Sequence, residues 1–341
     1  VTATTAAPSL PAGRFLPPRE GHEVWWGEGG DASGCPVLVV HGGPGGASRA
    51  EPAAWFEGLS VRWLMLDQRG CGRSTPAGRT EANRLGDLVD DMERLRETLA
   101  LERWAIAGGS WGARVALAYG LRHPQRVTGL LLRSPFLGTR AETRRYIAPW
   151  SNWLGAAGRD WIGPAAAEAV HSLYHRETES FIVDSGLTLS DDRVIQAWTA
   201  FDDAQSAPGG VAANGARWST PDGAPSAAQR ASWAVHASYA GAGWGERDGV
   251  PRGVLVPPLA ADAPVELVWG EADATCDPAQ AEALAVALAA AGLAVRRHAV
   301  AGAGHRMGDA RLAPALRAAA RDWVARLQPG AAPSSRQRSL R

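Results

Sequence analysis

Short apolar runs that stop at glycine-rich turns organise the first third of the chain. Val37-Leu38-Val39-Val40 ends at His41 and a glycine cluster, the pattern of a buried strand entering a tight loop. Arg62-Trp63-Leu64-Met65-Leu66 repeats it and ends at Asp67 and a second glycine-rich turn. The period then changes: Leu85, Leu88, Val89, Met92, Leu95 and Leu99 recur at three- and four-residue spacing, which predicts a helix covering one face of a sheet. Trp104-Ala105-Ile106-Ala107 predicts a strand, residues 111 to 121 a helix, and Val127 to Leu132 another strand. Strands alternating with helices predict a mostly parallel sheet wrapped by helices.

The alternation breaks after Pro135. Residues 136–257 show helical pieces separated by Gly/Ala/Pro/Ser stretches and carry the tryptophans at 150, 153, 161, 198, 218, 233 and 244. They are expected to form an inserted, mainly helical cap in which most tryptophans pack the cap itself and one or two line a pocket. The core resumes with a strand at Val265 to Trp269, a helix from Pro278 to Ala290, a strand over Ala294 to Val300 and a terminal helix near Ala310 to Leu327. The expected layout is a loose tail over 1–20, a core over 21–135 and 258–328, a cap over 136–257, and a second loose tail over 329–341.

Composition narrows the class. The chain is 341 residues long, 45% hydrophobic and 21% charged, which suits a folded domain with an insertion. Lys+Arg and Asp+Glu number 35 each, so no overall field recruits nucleic acid or an anionic membrane. No stretch approaches the roughly 20 apolar residues that span a bilayer, and Val1-Thr2-Ala3-Thr4-Thr5 does not read as a secretory signal. Cys35, Cys71 and Cys276 show neither metal-ligand spacing nor an even disulfide set, so reduced thiols in a cytoplasm are expected.

The candidate chemistry sits in Gly108-Gly109-Ser110-Trp111-Gly112, between a predicted strand and a predicted helix. A serine hydroxyl is a weak nucleophile that needs a strained, exposed position and a neighbouring base, and Gly-x-Ser-x-Gly at a strand-to-helix turn supplies the position. The associated chain order, Ser then Asp then His, is met by Asp273 after a late strand and His305 in a C-terminal glycine loop. Asp277 competes for the acid role, but it immediately precedes Pro278 and suits a helix cap better. Acyl transfer also needs backbone donors for the developing oxyanion. The amide of Trp111 is one candidate, and the loop His41-Gly42-Gly43-Pro44-Gly45 supplies the other, with Gly43 slightly preferred to Gly42. That loop lacks the residues of a phosphate cradle.

Three segments together, His41 to Gly45, Asp67-Gln68-Arg69-Gly70-Cys71-Gly72-Arg73-Ser74 and Gly108 to Gly112, resemble the proline iminopeptidase family of α/β hydrolases. The resemblance is dense over residues 37–135 and returns at 265–305. It implies an α/β-hydrolase fold with a helical cap, and release of N-terminal proline from small peptides without metal or cofactor. It also implies acidic cap side chains that receive the substrate's free amine, since a buried cation needs a carboxylate partner. Ala197-Trp198-Thr199-Ala200-Phe201-Asp202 is similar to a family segment that places Asp202 as one such acid, one methylene shorter than the family's glutamate. Trp233-Ala234-Val235-His236 leaves Ala234 where a second carboxylate belongs. Cys71 and Cys276 resemble family positions that often carry cysteines near the site, and packing is the expected role for both here.

The chain therefore reads as a serine aminopeptidase acting on short peptides. Hydrolysis of a secondary-metabolite ester, lactone or amide is the alternative that the altered cap favours. A catalytically silent binding protein would require a broken triad, and an epoxide hydrolase would carry aspartate at position 110. A small peptide or small acyl compound is the expected partner, and oligomeric state is left open.

Overall fold

The computed structural model describes residues 10–175, 190–246 and 249–327. Residues 1–9 of the expected N-terminal tail and the whole expected C-terminal tail, 329–341, lie outside the described residues. The rest of the expected N-terminal tail is a correction. Residues 10–20 belong to the fold: Arg14–Phe15 forms strand β1, Leu16 is buried in the core, and Glu20 pairs with Arg69. Prolines at 11, 17 and 18 flank a strand only two residues long, too short to show any period.

Strands β2 (Trp25–Gly30), β3 (Cys35–Val40), β4 (Val61–Leu66), β5 (Trp104–Gly109), β6 (Val127–Arg133), β7 (Pro264–Gly270) and β8 (Ala294–Val300) complete one sheet, in the order β1-β2-β4-β3-β5-β6-β7-β8. The pairings from β4 through β8 are parallel, while β1 and β2 run antiparallel. Strands β3 and β5 to β7 are almost wholly buried, because helices cover both faces of a parallel sheet. Alternate residues divide between those faces. Leu38, Val40, Leu64, Ile106 and Leu132 pack under helices α1 (Leu85–Thr98) and α2 (Trp111–Arg122). Val37, Val39, Met65, Ala105 and Leu131 pack against the closing helix at Leu312–Leu327.

Between β6 and β7 the described residues form six helices: α3 (Arg140–Ile147), α4 (Trp150–Ile162), α5 (Pro164–His175), α6 (Asp192–Gln205), α7 (Gly210–Asn214) and α8 (Ala227–Gly241). Helices α9 (Pro278–Ala290) and α10 (Leu312–Leu327) then flank β8. Trp150, Trp153, Trp198, Trp233 and Trp244 are buried among these helices, so the cap tryptophans do pack the cap. Arg114 of α2 fastens the inserted segment at both junctions. Fully buried, it donates to the carbonyls of Leu137, Trp244 and Pro251. Burial lowers its pKa to about 10, which leaves it cationic at neutral pH and suited to bind several carbonyls.

Arg69 is a second buried hub. Its guanidinium grips both oxygens of Asp91 at 2.6 and 3.0 Å, and also Glu20 and the carbonyl of Ala82, so the turn after β4, helix α1 and the N-terminal segment meet on one side chain. Arg69→Met should lower stability by about 2 to 4 kcal/mol, because the buried Asp91 would lose its bidentate partner and keep only Arg94, at 3.0 Å, as a counter-charge. Urea unfolding would measure this, and adding Asp91→Leu should recover part of the loss.

Candidate active site

Ser110 is the single residue between β5 and α2, held at φ 55° and ψ −123°. A non-glycine residue with positive φ stores strain and requires surroundings that impose it. Two glycines impose it here. A Cβ on Gly108 would lie 2.5 Å from the carbonyl oxygen of Gly112, and one on Gly112 would lie 2.3 Å from that of Val40. Only hydrogens allow the turn to close against β3.

Asp273 follows β7 and His305 follows β8, adjacent parallel strands, so their loops emerge side by side. His305 Nδ1 stands 2.8 Å from Asp273 Oδ2. The other carboxylate oxygen, Oδ1, accepts the amides of Thr275 and Cys276 at 2.9 and 2.8 Å. Burial alone would push this carboxyl up, but the adjacent imidazole and those hydrogen bonds hold it below the usual carboxylate range. Asp277, the competing acid, caps α9 by accepting from the amide of Ala279.

The Ser110 hydroxyl contacts the Cys276 thiol at 3.6 Å, and no hydrogen bond joins it to His305 among the described residues. Apo sites often show such loose geometry before substrate tightens it. Burial holds the Cys276 thiol well above its ordinary pKa, so it stays protonated. Cys71 is also buried, with burial raising its pKa to about 12. Cys71 packs as expected; Cys276, expected only to pack, touches the serine.

The two glycines differ in placement. A Cβ on Gly42 would lie 3.4 Å from Ser110 Cβ, whereas one on Gly43 would meet the amides of Gly45 and Gly46. Trp111 opens α2, where an amide has no acceptor within the helix.

Ser110, His305, Gly42, Gly43 and Asp202 all line one cavity of about 920 Å³. Asp202 enters it from α6 and accepts a 2.6 Å hydrogen bond from the buried Tyr146 hydroxyl. Its neighbour Asp203 also lines the cavity but is paired with Arg306 at 2.8 Å. Ala234 is half-buried, and its helix contributes Ser232 to the lining instead. None of the cap tryptophans lines this cavity; Trp55 of the core does. Among the described residues no group of three or more His, Cys, Asp or Glu side chains could hold a metal ion, and no helix is long and apolar enough to cross a membrane.

Sequence patterns missed several members of this site. Arg133, at the end of β6, donates to the His305 carbonyl at 2.6 Å, and Arg145 of α3 donates to the Asp273 carbonyl at 3.1 Å. Tyr146 on Asp202 belongs to the same group, as does the contact of Cys276 with Ser110, a residue expected only to pack. No period or motif marks them, because each contact crosses between separate segments.

A family model described as alpha/beta hydrolase fold matches residues 36–307. A proline iminopeptidase of Neisseria gonorrhoeae is 37% identical over 191 residues, covering 52% of this chain and 60% of that protein. One of Arabidopsis thaliana is 39% identical over 189 residues, covering 53% of this chain and 48% of that protein. The chain thus matches about half to three-fifths of the length of these curated relatives. A crystal structure of a proline iminopeptidase-related protein from Thermus thermophilus superposes with TM-score 0.60 at 24% identity, over 93% of this chain and 98% of that one, a likeness of fold.

Proposed function

The chain belongs to the α/β-hydrolase fold family, and within it we propose a serine aminopeptidase that releases proline or another small N-terminal residue from short peptides. The observation that carries the serine-hydrolase part of this reading is the 2.8 Å bond between His305 and Asp273, with a strained Ser110 lining the same cavity as His305. With Nδ1 held by Asp273, Nε2 is the ring nitrogen that can take the Ser110 proton as the hydroxyl attacks the substrate carbonyl. The amides of Trp111 and of Gly42 or Gly43 would stabilise the oxyanion, and the imidazolium would then protonate the departing amine. Water repeats the sequence to free the enzyme.

The resemblance to proline iminopeptidases supports a free-amine substrate, and Asp202 is the cap carboxylate placed to receive it. Tyr146 orients that carboxylate from the buried side. Asp202→Asn should lower kcat/KM for proline-naphthylamide by roughly ten- to a hundredfold, the worth of a hydrogen bond to a charged group, and leave nitrophenyl ester hydrolysis unchanged. Ester turnover without prolyl turnover in the unaltered protein would instead favour an ester, lactone or amide of a secondary metabolite, a reading supported by alanine at position 234. All three cysteines are unpaired, which supports a reducing compartment such as the cytoplasm.

A further inference from the structure

Gln68 lies just beyond β4, 2% exposed, and is not part of the cavity lining. Its side chain nevertheless joins the two segments that carry the oxyanion donors. The Trp111 indole N–H donates to Gln68 Oε1 at 2.9 Å. An indole nitrogen can only donate, so the oxygen of the amide must face it and the NH2 must face the other way. There it donates to the carbonyl of His41 at 2.9 Å.

The backbone of Gln68 adds a third tie. Its N–H donates to His41 Nε2 at 3.0 Å, which requires that nitrogen to be unprotonated. The ring proton therefore sits on Nδ1, where it donates to the Gly42 carbonyl at 2.8 Å. Burial lowers the pKa of His41, which keeps the ring in this neutral form. Residue 68 thus holds the peptide between His41 and Gly42 from one side, and the first residue of α2 from the other.

We propose that Gln68 is a positioning residue of the oxyanion hole, setting the distance between the His41-Gly42-Gly43 loop and the Trp111 amide through its two side-chain hydrogen bonds. The inference rests on the proposed role of Ser110 and of these amides. Two donors stabilise one oxygen only if their separation is kept to a fraction of an ångström, because they gain most when no reorganisation is needed as charge develops. Each donor belongs to a different segment: the loop ends β3, whereas Trp111 begins α2. A polar side chain spanning the gap fixes their separation in a way that apolar packing alone would not.

The test compares the unaltered enzyme with Gln68→Met and Gln68→Glu on a short nitrophenyl ester, whose turnover does not depend on an amine subsite. Both variants should lose roughly ten- to a hundredfold in kcat, with KM within about twofold of the unaltered enzyme. Affinity for a trifluoromethyl ketone, whose hemiketal oxygen occupies the oxyanion position, should fall in the same proportion. Near-UV circular dichroism should be unchanged. Should Gln68→Met fail to fold, Trp111→Phe, which removes the indole donor and keeps the amide, must lose kcat and ketone affinity together. Unchanged kcat, or a loss confined to KM at constant ketone affinity, overturns the proposal. Ser110→Ala separates the two levels: if it still turns over the ester, the underlying nucleophile assignment fails, and with it this inference. If it is inert while Gln68→Met is unimpaired, only the role of Gln68 fails.

Discussion

Ser110→Ala is expected to reduce turnover by roughly 10⁴- to 10⁶-fold on any substrate the protein hydrolyses, leaving what substrate positioning and the oxyanion donors supply without a nucleophile. Covalent labelling by a fluorophosphonate probe should vanish with it. The fold should not suffer: the hydroxyl's contact is a 3.6 Å approach to Cys276, so its removal should cost less than about 1 kcal/mol. The strained turn is kept, since the surroundings closed by Gly108 and Gly112 hold alanine at the same positive φ as serine. Unfolding in urea, followed beside the kinetics, separates loss of chemistry from loss of structure. A Ser110→Ala protein that still reacts with the probe would place the nucleophile elsewhere.

Asp273→Asn should be nearly as damaging, at roughly 10⁴-fold in kcat, for a reason that the local hydrogen bonds define. Oδ1 accepts two backbone amides, so the variant's carbonyl oxygen must stay there and its NH2 must turn toward His305. Nδ1 then becomes an acceptor, the ring proton moves to Nε2, and the imidazole can no longer take a proton from Ser110. Stability should respond to pH with a definite sign. A carboxyl whose native pKa is depressed contributes stability that is present above its unfolded pKa and is lost as pH falls through the native one. The unaltered protein should therefore lose an increment of stability below the ordinary carboxyl range that Asp273→Asn does not lose. Equal acid sensitivity of the two proteins would remove Asp273 from that increment.

The core was readable from local patterns because a parallel sheet covered on both faces demands continuous apolar runs. β3, β5 and β6 are such runs, and α1 and α9 follow their predicted spans to within a residue. Strand β2 was not readable. Its sequence Trp25-Trp26-Gly27-Glu28-Gly29-Gly30 neither alternates nor forms an apolar run, and pairing with β4 stabilises it as a strand, including the bond from Arg62 to Glu28. The expected tail over residues 10–20 failed for a related reason: Leu16 and Glu20 gain their roles only from the core and from Arg69.

The amino-acid sequence by itself determined what can be specified within a few neighbouring residues. That includes the glycine turn around Ser110, the glycine loop after β3, the cap at Asp277 and the order of Ser110, Asp273 and His305 along the chain. The tertiary structure alone decided which groups meet. Asp273 rather than Asp277 reaches His305 across 32 residues, Tyr146 meets Asp202 across 56, and Cys276 and Ser110 touch across 166. A motif records backbone conformation, which short-range sterics enforce. A contact between distant segments depends on how the whole sheet and its inserted helices pack, and no local spacing encodes that.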